Sequence, residues 1–195
     1  EIGNLLRQRS IDRHTKNTAM TKQGRGLRML KYGIACSLNE TSTRSPIVLR
    51  GPIEKLCEEA SSLGYQGLEI QLADPMQYDW KQIKKVCGDY HLELTAFATG
   101  RELSENGLCL LSDDAAVRRA AIQRLKEHID CAQTAGCQVI VGSMRKHIPD
   151  QSQREKYLGY HRDAVAELAD YAKDKNVRIW IENILSFISN FLNTM

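Results

Sequence analysis

The amino-acid sequence predicts an α/β fold built on a parallel β-sheet, and two observations support this fold class. Short apolar runs alternate with amphipathic helical patterns along the chain from Lys31 onward. The runs are apolar on successive residues, as in strands that are covered on both faces. Strands that alternate with helices in this way are typical of parallel sheets with right-handed crossovers.

Five apolar runs have the length and composition of β-strands. They are Lys31–Cys36, Gln66–Leu72, Leu92–Thr99, Gln138–Val141 and Val177–Glu182. A glycine directly follows the third and the fourth run, which is typical of the point where a strand ends. The sequence therefore predicts five parallel strands that lie side by side in chain order.

Four helices are predicted between these strands from stripes of apolar residues at helical spacing. Their predicted extents are Pro52–Leu63, Trp80–Tyr90 with Asp79 as its cap, Ser112 or Asp113 to about Ala135, and Asp150 to about Lys175. Proline suits a first helical turn, and aspartate side chains accept hydrogen bonds from the unpaired N–H groups there. The segment Arg101–Leu111 is predicted to be a loop, and the chain stops near the start of a fifth helix.

Two architectures fit this order of elements, an open doubly wound sheet and part of a (β/α)₈ barrel. A glycine-rich phosphate loop after the first strand would favour the open sheet. The junction between Cys36 and Pro52 contains neither GxGxxG nor GxxxxGK[ST]. We therefore predict a partial (β/α)₈, or TIM, barrel with about five parallel strands and four to five helices, which is not closed.

The first 29 residues differ from the rest of the chain in charge and in pattern. Residues 1–30 carry seven basic and two acidic side chains, which gives +5, so the remaining residues carry −2 of the total charge of +3. No hydrophobic period is sustained there, and Met20 or Met29 is a candidate start of the native chain. A basic arm or transit peptide is one interpretation. We favour the interpretation that residues 1–29 are a disordered or non-native tail. Residues 30–195 are then the N-terminal portion of a barrel.

Composition and cysteine usage limit the function classes. No run of 18 apolar residues is present, so we expect no membrane-spanning helix. The N-terminus lacks an apolar core, so we expect no secretory signal. The six cysteines include no CxxC pair, which favours free thiols in the cytoplasm over a zinc site. The slightly acidic body gives no electrostatic reason to expect nucleic acid as a partner. A homo-oligomer stays an open alternative.

Candidate functional residues stand where the predicted strands end, because parallel α/β folds form their active sites there. Glu182 ends the fifth strand after three apolar residues, and a carboxylate there is costly unless it binds a cation or a proton. Thr99 and Ser143, at the third and fourth strand ends, suit contacts with hydroxyl groups. Arg145 and Lys146 are candidates for holding a substrate phosphate. The alternatives are a loop or capping role for Glu182 and a solvated basic pair at Arg145 and Lys146.

The segment Leu94–Arg145 and the fifth strand, RIWIE, resemble the sugar phosphate isomerase/epimerase family with its xylose isomerase-like barrel. That family includes ketose 3-epimerases and hydroxypyruvate isomerases, and the resemblance extends from about Leu30 to Thr194. It implies a proton transfer next to the carbonyl of a ketose or sugar phosphate, assisted by Mn²⁺ or Mg²⁺. It also implies that Glu182, which matches the family's strand-ending glutamate, holds the metal and moves the proton.

Two departures from the family pattern set further expectations. An arginine and a second, substrate-contacting glutamate of the family are replaced here by Ser186 and Ile188. The family's other metal ligands come from strands six to eight, and the chain stops at Met195. We therefore expect the chain alone to bind no metal and to be inactive, as a truncated or degenerate barrel fragment.

The main enzymatic alternative is the apurinic endonuclease branch of the same barrel. The resemblance implies that such a site takes histidines from early strand ends, where this sequence has Gln71 and Thr99. His147 follows the fourth strand and is placed to reach the site, although an exposed loop position explains it better. The sequence therefore disfavours the endonuclease.

Overall fold

The computed structural model describes residues 30–39 and 47–192, and predictions for the N-terminal 29 residues lie outside this part of the chain. The strands in it are β1 (Gly33–Ser37), β2 (Leu49–Arg50), β3 (Gly67–Gln71), β4 (Glu93–Ala98), β5 (Gln138–Val141) and β6 (Ile179–Ile181). The helices are α1 (Ile53–Ser62), α2 (Trp80–Asp89), α3 (Gly100–Asn106), α4 (Ala115–Ala135) and α5 (Arg154–Ala172).

All strand pairs are parallel, and the sheet has the order β2-β1-β3-β4-β5-β6. The predicted parallel sheet in chain order is therefore confirmed. The short strand β2 lies beside β1 and was not predicted, because two residues are too few to give a recognisable sequence pattern. Strands β2 and β6 form the two edges, so the sheet of the described residues is not closed.

One face of the sheet packs against the four longer helices. Paired residues of neighbouring parallel strands point to the same face, and Cys36, Ile70, Phe97 and Val139 occupy matching positions. All four are buried in one core with the apolar stripes of α1, α2, α4 and α5. Removal of this apolar surface from water is the main stabilising contribution. The opposite face carries polar side chains such as Glu69.

The helix caps follow the predictions in one case and differ in another. The Asp79 carboxylate accepts hydrogen bonds from two backbone N–H groups in the first turn of α2, at 3.0 and 3.1 Å, as predicted. The cap of α4 is Asp114, whose Oδ1 accepts from the Ala116 N–H at 2.7 Å, rather than Ser112 or Asp113. An acidic run offers several equivalent caps, and the tertiary packing of the helix selects one.

Residues 100–106, most of them in the predicted loop, form α3 instead. Arg101 and Glu105 pair one turn apart at 2.7 Å, and Glu102 is buried against the His128 Nε2 at 2.7 Å. The helix is seven residues long and lacks an apolar stripe. Its stability comes from polar tertiary contacts, which hydrophobic periodicity does not reveal.

Composition led to two expectations, free thiols and the absence of a membrane-spanning helix. All six cysteines are free and buried. The Sγ atoms of Cys57 in α1 and Cys87 in α2 lie 3.7 Å apart. Within residues 30–39 and 47–192, no helix combines the length and the apolarity needed to cross a membrane.

Candidate functional site

A cavity of about 710 Å³ opens at the carboxyl ends of the strands. Pockets for small molecules usually measure about 300–1,000 Å³. Three of the four predicted site residues, Glu182, Thr99 and Ser143, line this cavity, and Arg145 does not. The rest of the lining consists of Ile34, Ala35, Ile47, Val48, Gln71, Ala98, Gly100, Arg101, Leu103, Ser104, Glu105, Gly142, Ile184 and Ile188.

Glu182 follows β6 directly, and its backbone N–H donates to the Val141 carbonyl at 3.1 Å. Alternation along the strand puts its side chain on the face opposite the helical core. The carboxylate lies so close to Gly142 that a β-carbon at position 142 would collide with Oε2. The side chain caps no helix and has no hydrogen-bond or ion-pair partner among the described residues. The carboxylate is therefore free to contact a ligand.

Two further polar groups flank Gly100 at the start of α3. A β-carbon at position 100 would stand 3.1 Å from Ser143 Oγ and 3.7 Å from Gln71 Oε1. Neither oxygen has a hydrogen-bond partner in the described part of the chain. Thr99 differs, because it is buried and its Oγ1 donates to the Ile140 carbonyl at 3.0 Å. Its hydroxyl oxygen can still accept a hydrogen bond.

Glu69 is a half-buried carboxylate in the middle of β3, on the open face of the sheet. Its Oε1 accepts a hydrogen bond from Gln71 Nε2 at 2.9 Å. Burial raises the pKa of Glu69, the hydrogen bond from Gln71 opposes this, and the charge of Glu182 raises it further. Sequence analysis overlooked Glu69, although a signal existed. A carboxylate between Leu68 and Ile70 is unusual in a strand expected to be apolar on both faces.

Arg101 supplies a cation to the cavity wall, but its charge is already paired. Nε and Nη2 donate to the two carboxylate oxygens of Glu105 at 2.7 and 3.0 Å. Nη1 donates to Ser37 Oγ at 3.0 Å and to Asn39 Oδ1 at 2.6 Å. These bonds tie α3 to the end of β1. Sequence analysis did not select Arg101 as a site residue, because its contacts with Ser37 and Asn39 join distant parts of the chain.

Arg145 lies buried beneath the cavity, and its guanidinium donates to backbone carbonyls. Nε donates to Gly142 O at 3.2 Å, Nη1 to Phe191 O at 3.2 Å and Leu192 O at 3.3 Å, and Nη2 to Glu182 O. Burial lowers the pKa of Arg145, and the nearby Glu182 charge opposes that effect. The guanidinium is thus engaged by backbone carbonyls and does not line the cavity. It fixes the segment that follows β6.

That segment folds back along the rim of the cavity. The Asn190 side chain bonds both backbone groups of Ile148, at 2.8 and 3.0 Å. His147 Nε2 donates to the Ser186 carbonyl at 3.0 Å, and this histidine does not line the cavity. Ile188 does line it, and so an apolar group occupies the position where the family resemblance implies a substrate contact.

The donor set of the cavity can be tested against a divalent cation. Mn²⁺ and Mg²⁺ take several oxygen ligands, commonly carboxylates. Residues 30–39 and 47–192 contain no group of three His, Cys, Asp or Glu side chains able to hold a metal ion. The lining has two carboxylates, Glu182 and Glu105, and Arg101 already engages the second. The described residues therefore do not fit a divalent cation by themselves.

Active sites of TIM barrels lie at the carboxyl ends of the strands, where this cavity opens. The model of the xylose isomerase-like TIM barrel family matches residues 57–195. The chain therefore belongs to this family. The match covers the part of the chain from α1 to its end, including Glu182.

Two relatives with assigned activities match by sequence. The L-ribulose 3-epimerase of Methylomonas sp. (strain DH-1) is 30% identical over 139 residues, which are 69% of this chain and 46% of that protein. The ketose 3-epimerase of Arthrobacter globiformis is 24% identical over 141 residues, 70% of this chain and 47% of that protein. The chain thus spans about half the length of the curated relatives that it matches.

Solved structures resemble the fold over a similar extent. A D-psicose 3-epimerase crystallised in the presence of D-fructose gives a TM-score of 0.65 at 18% identity, over 85% of this chain and 56% of that one. The D-allulose 3-epimerase of Methylomonas sp., in complex with D-allulose, gives 0.59 at 22% identity, over 80% and 52%. These likenesses establish the shared barrel fold.

Proposed function

We propose that this chain carries part of the active site of a sugar isomerase or epimerase in which Glu182 moves a proton beside a ketose carbonyl. One observation carries the proposal, a strand-end carboxylate with a fixed backbone and an unpaired side chain in the cavity. The relatives support a ketose as substrate, since they are 3-epimerases and two are named with D-fructose or D-allulose.

In this proposal Glu182 acts as a general base, and in the isomerase reaction it also returns the proton as a general acid. Its carboxylate takes the proton from the carbon next to the carbonyl, and the electron pair moves towards the carbonyl oxygen. Return of a proton to the same carbon from the opposite face gives the epimer. Return of the proton to the former carbonyl carbon, while the hydroxyl on the deprotonated carbon gives up its proton and becomes the new carbonyl, gives the isomer.

The opposite face needs a second proton donor, which the described lining does not offer, because its other carboxylate, Glu105, is paired with Arg101. We therefore propose that this chain alone neither turns over a ketose nor binds Mn²⁺ at micromolar concentration, because it offers one unpaired carboxylate. The same observation supports the second candidate, a non-catalytic barrel fragment whose ancestry is that of an epimerase.

The first candidate is tested with a coupled enzyme, in which this chain is fused to the C-terminal half of the Methylomonas L-ribulose 3-epimerase. The expected result is Mn²⁺ binding by titration and interconversion of D-fructose and D-allulose. The Glu182→Gln variant should lose at least about 100-fold in turnover, because the amide cannot take up a proton. Glu105→Gln is the matched control, since that carboxylate also lines the cavity but pairs with Arg101, and it should lose far less. Full turnover in the Glu182→Gln variant would remove this residue from the mechanism.

A further inference from the structure

The cavity floor around Gly100 holds two polar groups that proton transfer at Glu182 does not require. Ser143 Oγ and Gln71 Oε1 both border the space that a side chain at position 100 would fill. Both oxygens lack partners among the described residues, and both residues line the cavity. Unpaired polar groups gathered at one place in a cavity are the usual basis of specific ligand recognition.

The orientation of the Gln71 amide is fixed from below by Glu69. A carboxylate only accepts hydrogen bonds, so the group at 2.9 Å from Glu69 Oε1 is the NH₂ of the amide. The amide oxygen is consequently turned the other way, towards Gly100 and Ser143. Glu69 gains little else from its position, because it is half-buried and Gln71 is its one hydrogen-bond partner in the described chain. Partial burial of a carboxylate is energetically unfavourable. Orientation of the Gln71 amide is a role that accounts for a glutamate at this position.

The hydrogen-bonding properties of Gln71 and Ser143 determine which kind of ligand fits between them. Gln71 Oε1 can only accept, Ser143 Oγ can donate and accept, and a hydroxyl group matches both. Within the described part of the lining a phosphate or carboxylate finds no free cation, because the one basic side chain there, Arg101, is engaged by Glu105, Ser37 and Asn39. We propose that Gln71 and Ser143 form a subsite for the hydroxyl groups of an uncharged sugar, with Glu69 as the positioning residue. This proposal rests on the proposed function, since it places the sugar chain beside Glu182.

Three variants of the full chain test the subsite, with D-fructose and the carbonyl-free alditol D-mannitol as probes. Gln71→Leu removes the amide, Gly100→Ala fills the space, and Glu69→Gln releases the amide orientation. Each should weaken binding of both sugars roughly two- to tenfold in ligand-observed NMR titrations, as expected for one lost hydrogen bond. Gly88→Ala is the matched control, because nothing lies within 4 Å of a β-carbon at that helical glycine. It should leave both titrations unchanged.

Stability separates this role from simple structural damage. Glu69→Gln should melt at a higher temperature than the parent chain at pH 7, because it removes a half-buried charge, and yet bind both sugars more weakly. Gly100→Ala should stay within about 3 °C of the parent melting temperature, since the gain in helix propensity offsets the close contact of its β-carbon with Ser143 Oγ. Unchanged binding in the Gln71→Leu and Gly100→Ala variants overturns the subsite, as does failure of the parent chain to bind either sugar.

The subsite and the proposed function can fail separately. D-mannitol has no carbonyl, so its binding reports the hydroxyl subsite and not the proton transfer. Full turnover by the coupled enzyme carrying Glu182→Gln, together with weakened D-mannitol binding in the Gln71→Leu chain, would refute the mechanism and keep the subsite. Loss of turnover with Glu182→Gln, together with unchanged D-mannitol binding in the Gln71→Leu chain, would refute the subsite and keep the mechanism.

Discussion

Replacement of Arg145 by methionine should lower the free energy of unfolding by about 2–4 kcal/mol. The guanidinium donates to four backbone carbonyls, those of Gly142, Glu182, Phe191 and Leu192. Four hydrogen bonds at about 1 kcal/mol each set the upper end of this range. Relief from burying a charge offsets part of the loss, because methionine fills most of the same volume without desolvation.

Equilibrium denaturation followed by circular dichroism measures this change, and hydrogen exchange locates it. Amide exchange should accelerate first in residues 183–192, because Arg145 ties their carbonyls to the end of β5. Arg145→Lys should fall between the parent chain and the methionine variant, since an ammonium group keeps the charge but cannot span all four carbonyls.

The control for this experiment is Arg162→Met on the exposed surface of α5, where the arginine side chain is 80% exposed. It should change the free energy of unfolding by less than about 0.5 kcal/mol. If Arg145→Met also stays within that limit and leaves exchange of residues 183–192 unchanged, the assignment of Arg145 as their support is refuted.

Three more predictions follow from the cavity and the core. Gly142→Ala should displace the Glu182 carboxylate and lower turnover of the coupled enzyme at least about tenfold, with little change in circular dichroism. The raised pKa of Glu69 means that its proton stabilises the fold at low pH and is lost as pH rises, so Glu69→Gln should be more stable than the parent at pH 7 but not at pH 4. Burial raises the pKa of Cys36 and Cys137 to about 12, so neither thiol should react with a disulfide reagent at pH 8 before unfolding, as mass spectrometry would show.

Local patterns in the sequence were sufficient to predict the main elements of the fold. The strand Gln138–Val141 has the predicted bounds, and Asp79 caps its helix, because both depend on neighbouring residues alone. The helix Gly100–Asn106 was not predicted, since its stability depends on Glu102 and His128, which come together only in the folded chain. Elements that are held by distant polar contacts leave no hydrophobic period to read.

The same distinction between local patterns and distant contacts decides which positions in the candidate site could be predicted from the sequence. The rule that parallel strands end at one site was sufficient to select Glu182, Thr99 and Ser143, and these residues do line one cavity. Whether they contact a substrate stays a prediction. The position of Arg145 was not predictable, because its partners include carbonyls 46 and 47 residues further along the chain. A basic residue after a strand looks the same in sequence whether it faces a ligand or the backbone.

Three carboxylates near the cavity show why Glu182 is the one suited to chemistry. Glu102 is wholly buried and bonded to His128, so its charge serves the packing of α3. Glu105 reaches the cavity but is held by Arg101 through both oxygens. Glu182 has its backbone fixed at both ends, through its N–H and its carbonyl, while its side chain remains unpaired among the described residues. A proton-transfer group requires a fixed position and a free charge, and of the three carboxylates Glu182 has both.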